Sequence, residues 1–114
     1  MNQLDPSVQA LKARLENGFG AQEQAALVRL FSIARNDSGQ SRRVADFLLA
    51  WWNSQTMGRW DMLDLWAVDE QIGEDMLTIL SYLAGPHKAY PDTLGYKTEF
   101  HAVIKAWRPD IKFD

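Results

Sequence analysis

Residues 41 to 53, SRRVADFLLAWWN, set Trp51 directly beside Trp52. Successive residues on an α-helix point about 100° apart, so the two indoles cannot share a single contact. Stepped at that angle, Val44, Ala45, Phe47, Leu48, Leu49, Trp51 and Trp52 fill an apolar arc about 200° wide, with Leu48 near its middle. Arg42, Arg43, Asp46, Ala50 and Asn53 are what remains for water. A helix that is apolar over more than half its girth needs neighbours on both sides. The segment therefore predicts the central helix of a bundle, with each indole wedged against a different neighbour.

The rest of the chain is consistent with that frame. No alternating run of β-branched residues occurs, while helical spacing recurs throughout. A first helix should open at Asp5-Pro6, carry the narrow stripe Val8, Leu11 and Leu15 on the outside of the bundle, and stop at Asn17-Gly18. A second, from about Ala21 to Arg35, should bury Leu27, Val28, Leu30, Phe31 and Ala34. The turn NDSG leads to Ser38 or Ser41 as cap of the central helix, roughly 41 to 53.

From Leu65 to Leu83 the apolar stripe reads as one helix, except that Asp69 would then project from its apolar face. A lone buried carboxylate is expensive, so a break near Val68 is expected, with Asp69 capping a new helix that ends at Gly85-Pro86. Before the break, Asp61 can cap a short segment. After a loop of about ten residues, Tyr96, Phe100, Val103, Ile104 and Trp107 mark a last helix that ends before Pro109. The expected fold is all-α: a compact single domain over 1–114, of about five helices plus a short helical segment.

Composition excludes several classes of function. The 114 residues include no cysteine, so disulfides and thiolate metal sites are ruled out. The longest apolar run, FLLAWW, is far short of the ~20 residues a bilayer span requires, and MNQLDPSVQA lacks a secretory pattern. The expected setting is the cytoplasm, with no membrane partner. Net charge is −3 but unevenly spread: residues 60 to 87 hold Asp61, Asp64, Asp69, Glu70, Glu74 and Asp75 with no Lys or Arg. That segment reads either as a solvated acidic face or as a surface that steers a basic partner.

Catalytic templates fail one after another. A dimetal bundle site needs Glu-x-x-His pairs, and the two histidines, His87 and His101, do not supply them. No GxSxG and no phosphate-cradling glycine loop occurs. No metal, no cofactor and no enzymatic activity are expected. Asp69 reads as a helix cap, or as a carboxylate paired with Arg42, Arg43 or Arg59 around a polar pocket.

The five tryptophans are the feature that points to binding. Trp51, Trp66 and Trp107 read as core, Trp60 as exposed at a helix entrance, and Trp52 as either. The candidate interaction surface is therefore Arg42, Arg43, Trp52, Arg59, Trp60, Asp64 and Asp69, with the composition of an interface anchor.

The strings DSGQSRRVADFLLAWWN, DLWAVD, YPDTLGY and AWRP, in that order, resemble a family of small proteobacterial proteins of unknown role, often encoded on integrative conjugative elements and plasmids. The similarity runs from about Leu27 to Asp110 and implies a bacterial, intracellular accessory protein. The leading expectation is a non-enzymatic helical module that engages another protein or a second copy of itself as a homodimer. The alternative is nucleic-acid binding through the Arg42/Arg43 helix, against which stand its narrow polar face and the overall negative charge. A third reading gathers Asp64, Asp69, an arginine and the 85–95 loop into a ligand pocket.

Overall fold

A computed structural model of the chain describes residues 5–112. Among the described residues are five α-helices: α1 (Pro6–Glu16), α2 (Ala21–Ala34), α3 (Gly39–Met57), α4 (Glu70–Ala84) and α5 (Lys97–Trp107). Two 3₁₀ segments, Met62–Ala67 and Pro91–Leu94, precede α4 and α5, and no strand occurs in the described range. The all-α bundle read from the periodicity is the fold.

The central position of α3 follows from its arc. It packs against both α2 and α5, while α4 makes its main contact with α2. Val44, Ala45, Phe47, Leu48 and Leu49 are buried, and Trp51 and Trp52 are half-buried against the same core. The indoles point apart but share one neighbour, Phe100 of α5, which is large enough to stack with one and meet the other edge-to-face, so the expectation of wholly separate contacts is corrected. Trp52 stacks on Phe100 of α5 at 5.4 Å between ring centroids. Trp51 meets Phe19, Tyr82 of α4 and Phe100, and its N–H donates to the Ala89 carbonyl at 3.1 Å.

The boundaries of α3 lie outside the expected 41–53 for identifiable reasons. Ser38 is the N-cap: its hydroxyl accepts from the Ser41 N–H at 3.1 Å, which brings Gly39 and Gln40 into the first turn. At the other end Asn53 leaves helical geometry (φ −169°, ψ 92°), and its Oδ1 accepts from the Thr56 N–H at 3.2 Å. Asn53 thus ends one helix and caps another turn, which delivers Met57 into the core before Gly58 stops it at φ +103°.

α1 stops as expected, at Gly18 (φ +74°), where a Cβ would also come within 3.0 Å of His87. Its Val8 and Leu11 are about half exposed; Leu15, the third member of the expected stripe, lies outside the described side chains. α1 rests on the Pro91–Leu94 segment, with the Arg14 guanidinium 5.3 Å from the Tyr96 ring centroid. The long loop is thus not structureless: Pro91 and Leu94 are buried within it.

One expected core residue is on the surface. Val28 is 54% exposed, because Leu27, Leu30, Phe31 and Ala34 fix the buried face of α2 and Val28 stands about 100° from its axis. Ala26, on the opposite flank, is buried instead.

The break expected near Val68 is present. Val68 is extended (φ −116°, ψ 157°) and Asp69 takes the N-cap position of α4. Among the described residues the buried carboxylate is a different one, Asp75, which meets Arg29 of α2 through two hydrogen bonds of 2.9 and 2.8 Å. The Gln71 amide donates to the same carboxylate at 3.1 Å.

Candidate functional site

Three residues on one edge of α3, Gln40, Arg43 and Phe47, follow the i, i+3, i+7 spacing that lines a single helix face. Each grips a different point of the segment 60–69. The Gln40 side chain accepts from the Asp69 N–H and donates to the Asp69 carboxylate at 3.2 Å. Arg43 Nε stands 3.6 Å from Asp64 Oδ1. The Phe47 ring takes Trp60 edge-to-face at 4.9 Å between centroids. Going along α3 from 40 to 47, the partners run from 69 back to 60, so the segment lies antiparallel to the helix and is held at three points.

What faces away from this clamp is apolar. Trp66 is 84% exposed, Met62 70% and Leu63 49%. In a 3₁₀ helix side chains three residues apart eclipse one another, which puts Leu63 and Trp66 along one edge. Leu65 turns inward and packs against the core together with Val68. The segment opens at Asp61, whose carboxylate accepts from the Leu63 N–H at 2.9 Å. Asp61, Asp69 and Glu70 are all exposed around the ridge.

The residues singled out from the sequence are thus partly assembled, in other roles. Arg43, Trp60 and Asp64 come together under the ridge as its clamp and not as the surface itself, while Asp69, held by Gln40, stays exposed at its edge. Trp60 is half-buried against Phe47, not exposed, because the chain enters the 3₁₀ segment by folding its indole onto α3. Trp66, expected in the core, is the outermost indole. Asp69 makes no side-chain capping bond and pairs with Gln40, not with an arginine. Arg42 pairs with Asp46 at 3.3 Å, and Asp46 in turn receives Arg108 at 2.8 Å. Trp52 lies on the α5 side, against Phe100 and His101, well apart in angle from the clamp edge. Arg59 is exposed.

The pocket imagined around Asp64, Asp69 and the 85–95 loop is not assembled. That loop docks elsewhere: Ala89 accepts from Trp51, and His87 sits beside Gly18. Two concavities beside the loop are lined by Trp51, Leu83, Ala89 and Tyr90 on one side and by Gly18, Glu23, Tyr82 and His87 on the other. Among the described residues no group of three or more His, Cys, Asp or Glu is placed to hold a metal ion.

Sequence reasoning missed the ridge because it read Trp66 as core from the general tendency of tryptophan to be buried, although Trp66 stands about 100° from Leu65 and off the stripe Leu65, Val68, Ile72 and Met76. A signal was available. Met62, Leu63, Leu65, Trp66 and Val68 crowd into seven residues between Asp61 and Asp69, and so short a segment cannot turn five large apolar side chains to one core.

Residues 24–108 match the model of DUF7673, described as a family of unknown function. The chain belongs to that family. The whole clamp and ridge, residues 40 to 70, fall inside the DUF7673 match, whereas α1 precedes it. No curated protein matches the chain, and neither does any solved structure.

Proposed function

We propose that this chain is a non-enzymatic helical interaction module whose protein partner docks on the ridge Met62, Leu63 and Trp66. One observation carries the reading: an indole 84% exposed, on a segment fastened from behind by Gln40, Arg43 and Phe47. Covering an aromatic side chain removes roughly 150–250 Å² from water, worth roughly 4–6 kcal/mol before the costs of association. Holding the segment in place beforehand lowers those costs, since little is left to order on binding. Tryptophan on a fixed support is what an interface anchor requires.

Arg42 and Arg43 are engaged with Asp46 and Asp64, which leaves α3 little cationic surface for phosphates and weighs against nucleic acid. Among the described residues no helix is long and apolar enough to cross a membrane. The string resemblance extends the proposal to a cytoplasmic accessory protein of a bacterial conjugative element or plasmid; neighbouring transfer genes would be the supporting context.

A photo-crosslinking amino acid at position 66, in cells of the native host, tests the reading. The expected result is a discrete protein adduct from position 66 and none from position 28, an exposed apolar site on α2. Absence of an adduct at 66, or the same adducts from both positions, overturns it.

A further inference from the structure

Resting on that reading of the ridge, we infer that its partner is a cationic amphipathic segment, whose apolar face covers Trp66, Met62 and Leu63 while its Lys or Arg side chains meet Asp61, Asp69 and Glu70. The argument is one of charge. Between Arg43 and Lys88 the sequence holds a single cation, Arg59. Arg43 is already committed to Asp64. The exposed carboxylates beside the ridge outnumber the cation available to balance them. An apolar ridge rimmed by uncompensated carboxylates is complementary to a helix with aliphatic side chains on one face and basic ones beside them. An arginine of such a partner can also lie over the exposed indole, adding a cation–π contact to the ion pairs.

The same rim argues against the other occupants. A second copy meeting this one about a two-fold axis through Trp66 would press Asp61, Asp69 and Glu70 against their own counterparts, and like charges brought together at an interface are destabilising. A bilayer carrying anionic lipid repels an acidic rim in the same way. A basic segment is the occupant for which apolar and electrostatic terms have the same sign.

The test uses the full chain and two fluorescein-labelled amphipathic helical peptides, one of leucine and lysine, the other of leucine and glutamate, followed by polarisation. The lysine peptide is expected to bind at least about tenfold more tightly than the glutamate peptide and to weaken as salt is raised. Trp66→Ala and Met62→Ser should each weaken it by about tenfold, and Asp69→Asn with Glu70→Gln should narrow the gap between the peptides. Circular dichroism checks that each variant folds; should Trp66→Ala not, Met62→Ser carries the test. Equal binding of both peptides through Trp66 overturns the charge assignment while the docking reading stands. Lysine-peptide binding that survives Trp66→Ala and Met62→Ser, or no binding of either peptide, overturns the inference. So does self-association, or binding to phosphatidylcholine vesicles, that Trp66→Ala abolishes. Only the crosslinking result, no adduct at position 66 or the same adducts from 66 and 28, removes the docking reading as well.

Discussion

Trp60 and Trp66, six residues apart, have exchanged the surroundings their sequence context suggests. Trp60 lies edge-to-face on Phe47 and its indole N–H is buried without a partner, whereas Trp66 touches mainly water. Trp66→Ala should therefore change unfolding free energy by less than about 0.5 kcal/mol, and Trp60→Ala should lower it by about 2–4 kcal/mol, as read from urea unfolding. Trp66→Phe should also remove most of the acrylamide-quenchable fluorescence; if the quenchable fraction persists, Trp66 is not the exposed indole. Tyrosine gives a second expectation. Burial raises the Tyr82 and Tyr96 hydroxyls above the ordinary value of 10.0, and the opposing pull of the Ala89 backbone on one and Arg14 on the other is smaller. Both hydroxyls are buried without a hydrogen-bond partner. The folded chain thus keeps these protons to higher pH than the unfolded chain, so their contribution is intact below about pH 10 and is lost as pH rises further. Tyr82→Phe and Tyr96→Phe should shift alkaline unfolding to higher pH and leave stability at pH 7 equal or up to about 1 kcal/mol higher. A loss of more than that would mean the hydroxyls have partners after all.

Among the elements, the helices were legible and the 3₁₀ segment between α3 and α4 was not. α3 announces itself because seven apolar side chains in nine residues leave one arrangement that keeps them dry. α5 does so because Tyr96, Phe100, Val103 and Ile104 repeat at helical spacing and all are buried. The break at Val68 was visible because Asp69 could not stay on an apolar face. The direction in which residues 62–67 turn is different: it is set by Gln40, Arg43 and Phe47, which lie on another helix and exert no local signal. That dependence makes the clamp testable. Gln40→Ala combined with Arg43→Ala should raise amide hydrogen exchange over residues 61–68 by about tenfold while exchange in α3 and α5 stays within about twofold, because the ion pair is partly exposed and worth only about 0.5–1 kcal/mol. Uniform acceleration across the chain would show that the contacts hold up the whole bundle and not the ridge alone.

For the molecule as a whole, the uneven charge along the chain is partly folded away. The acidic stretch 60–87 contributes Asp64 to Arg43 and Asp75 to Arg29, so arginines of α3 and α2 neutralise part of it. The composition showed the asymmetry, but which carboxylates pair and which stay at the surface depends on α2 meeting α4 and α3 meeting the 3₁₀ segment. Asp75 illustrates the difference. It sits on the α4 face that carries Ile72, Met76 and Ile79 and is as buried as they are, yet the sequence reading assigned the problem of a buried carboxylate to Asp69. Arg29 solves it from an exposed position, reaching over with two of its nitrogens. Since the pair lies where α2 and α4 make their main contact, its loss should loosen that interface first. Arg29→Leu alone strands a desolvated carboxylate, whereas Asp75→Leu alone leaves a guanidinium that water can reach. The first substitution should therefore be the more damaging, and the double substitution Arg29→Leu/Asp75→Leu should recover much of the loss, because no buried charge then remains. Thermal unfolding of the three variants gives the order directly. If the double substitution is no better than Arg29→Leu, it is the specific fork of hydrogen bonds, and not the removal of a stranded charge, that joins the two helices.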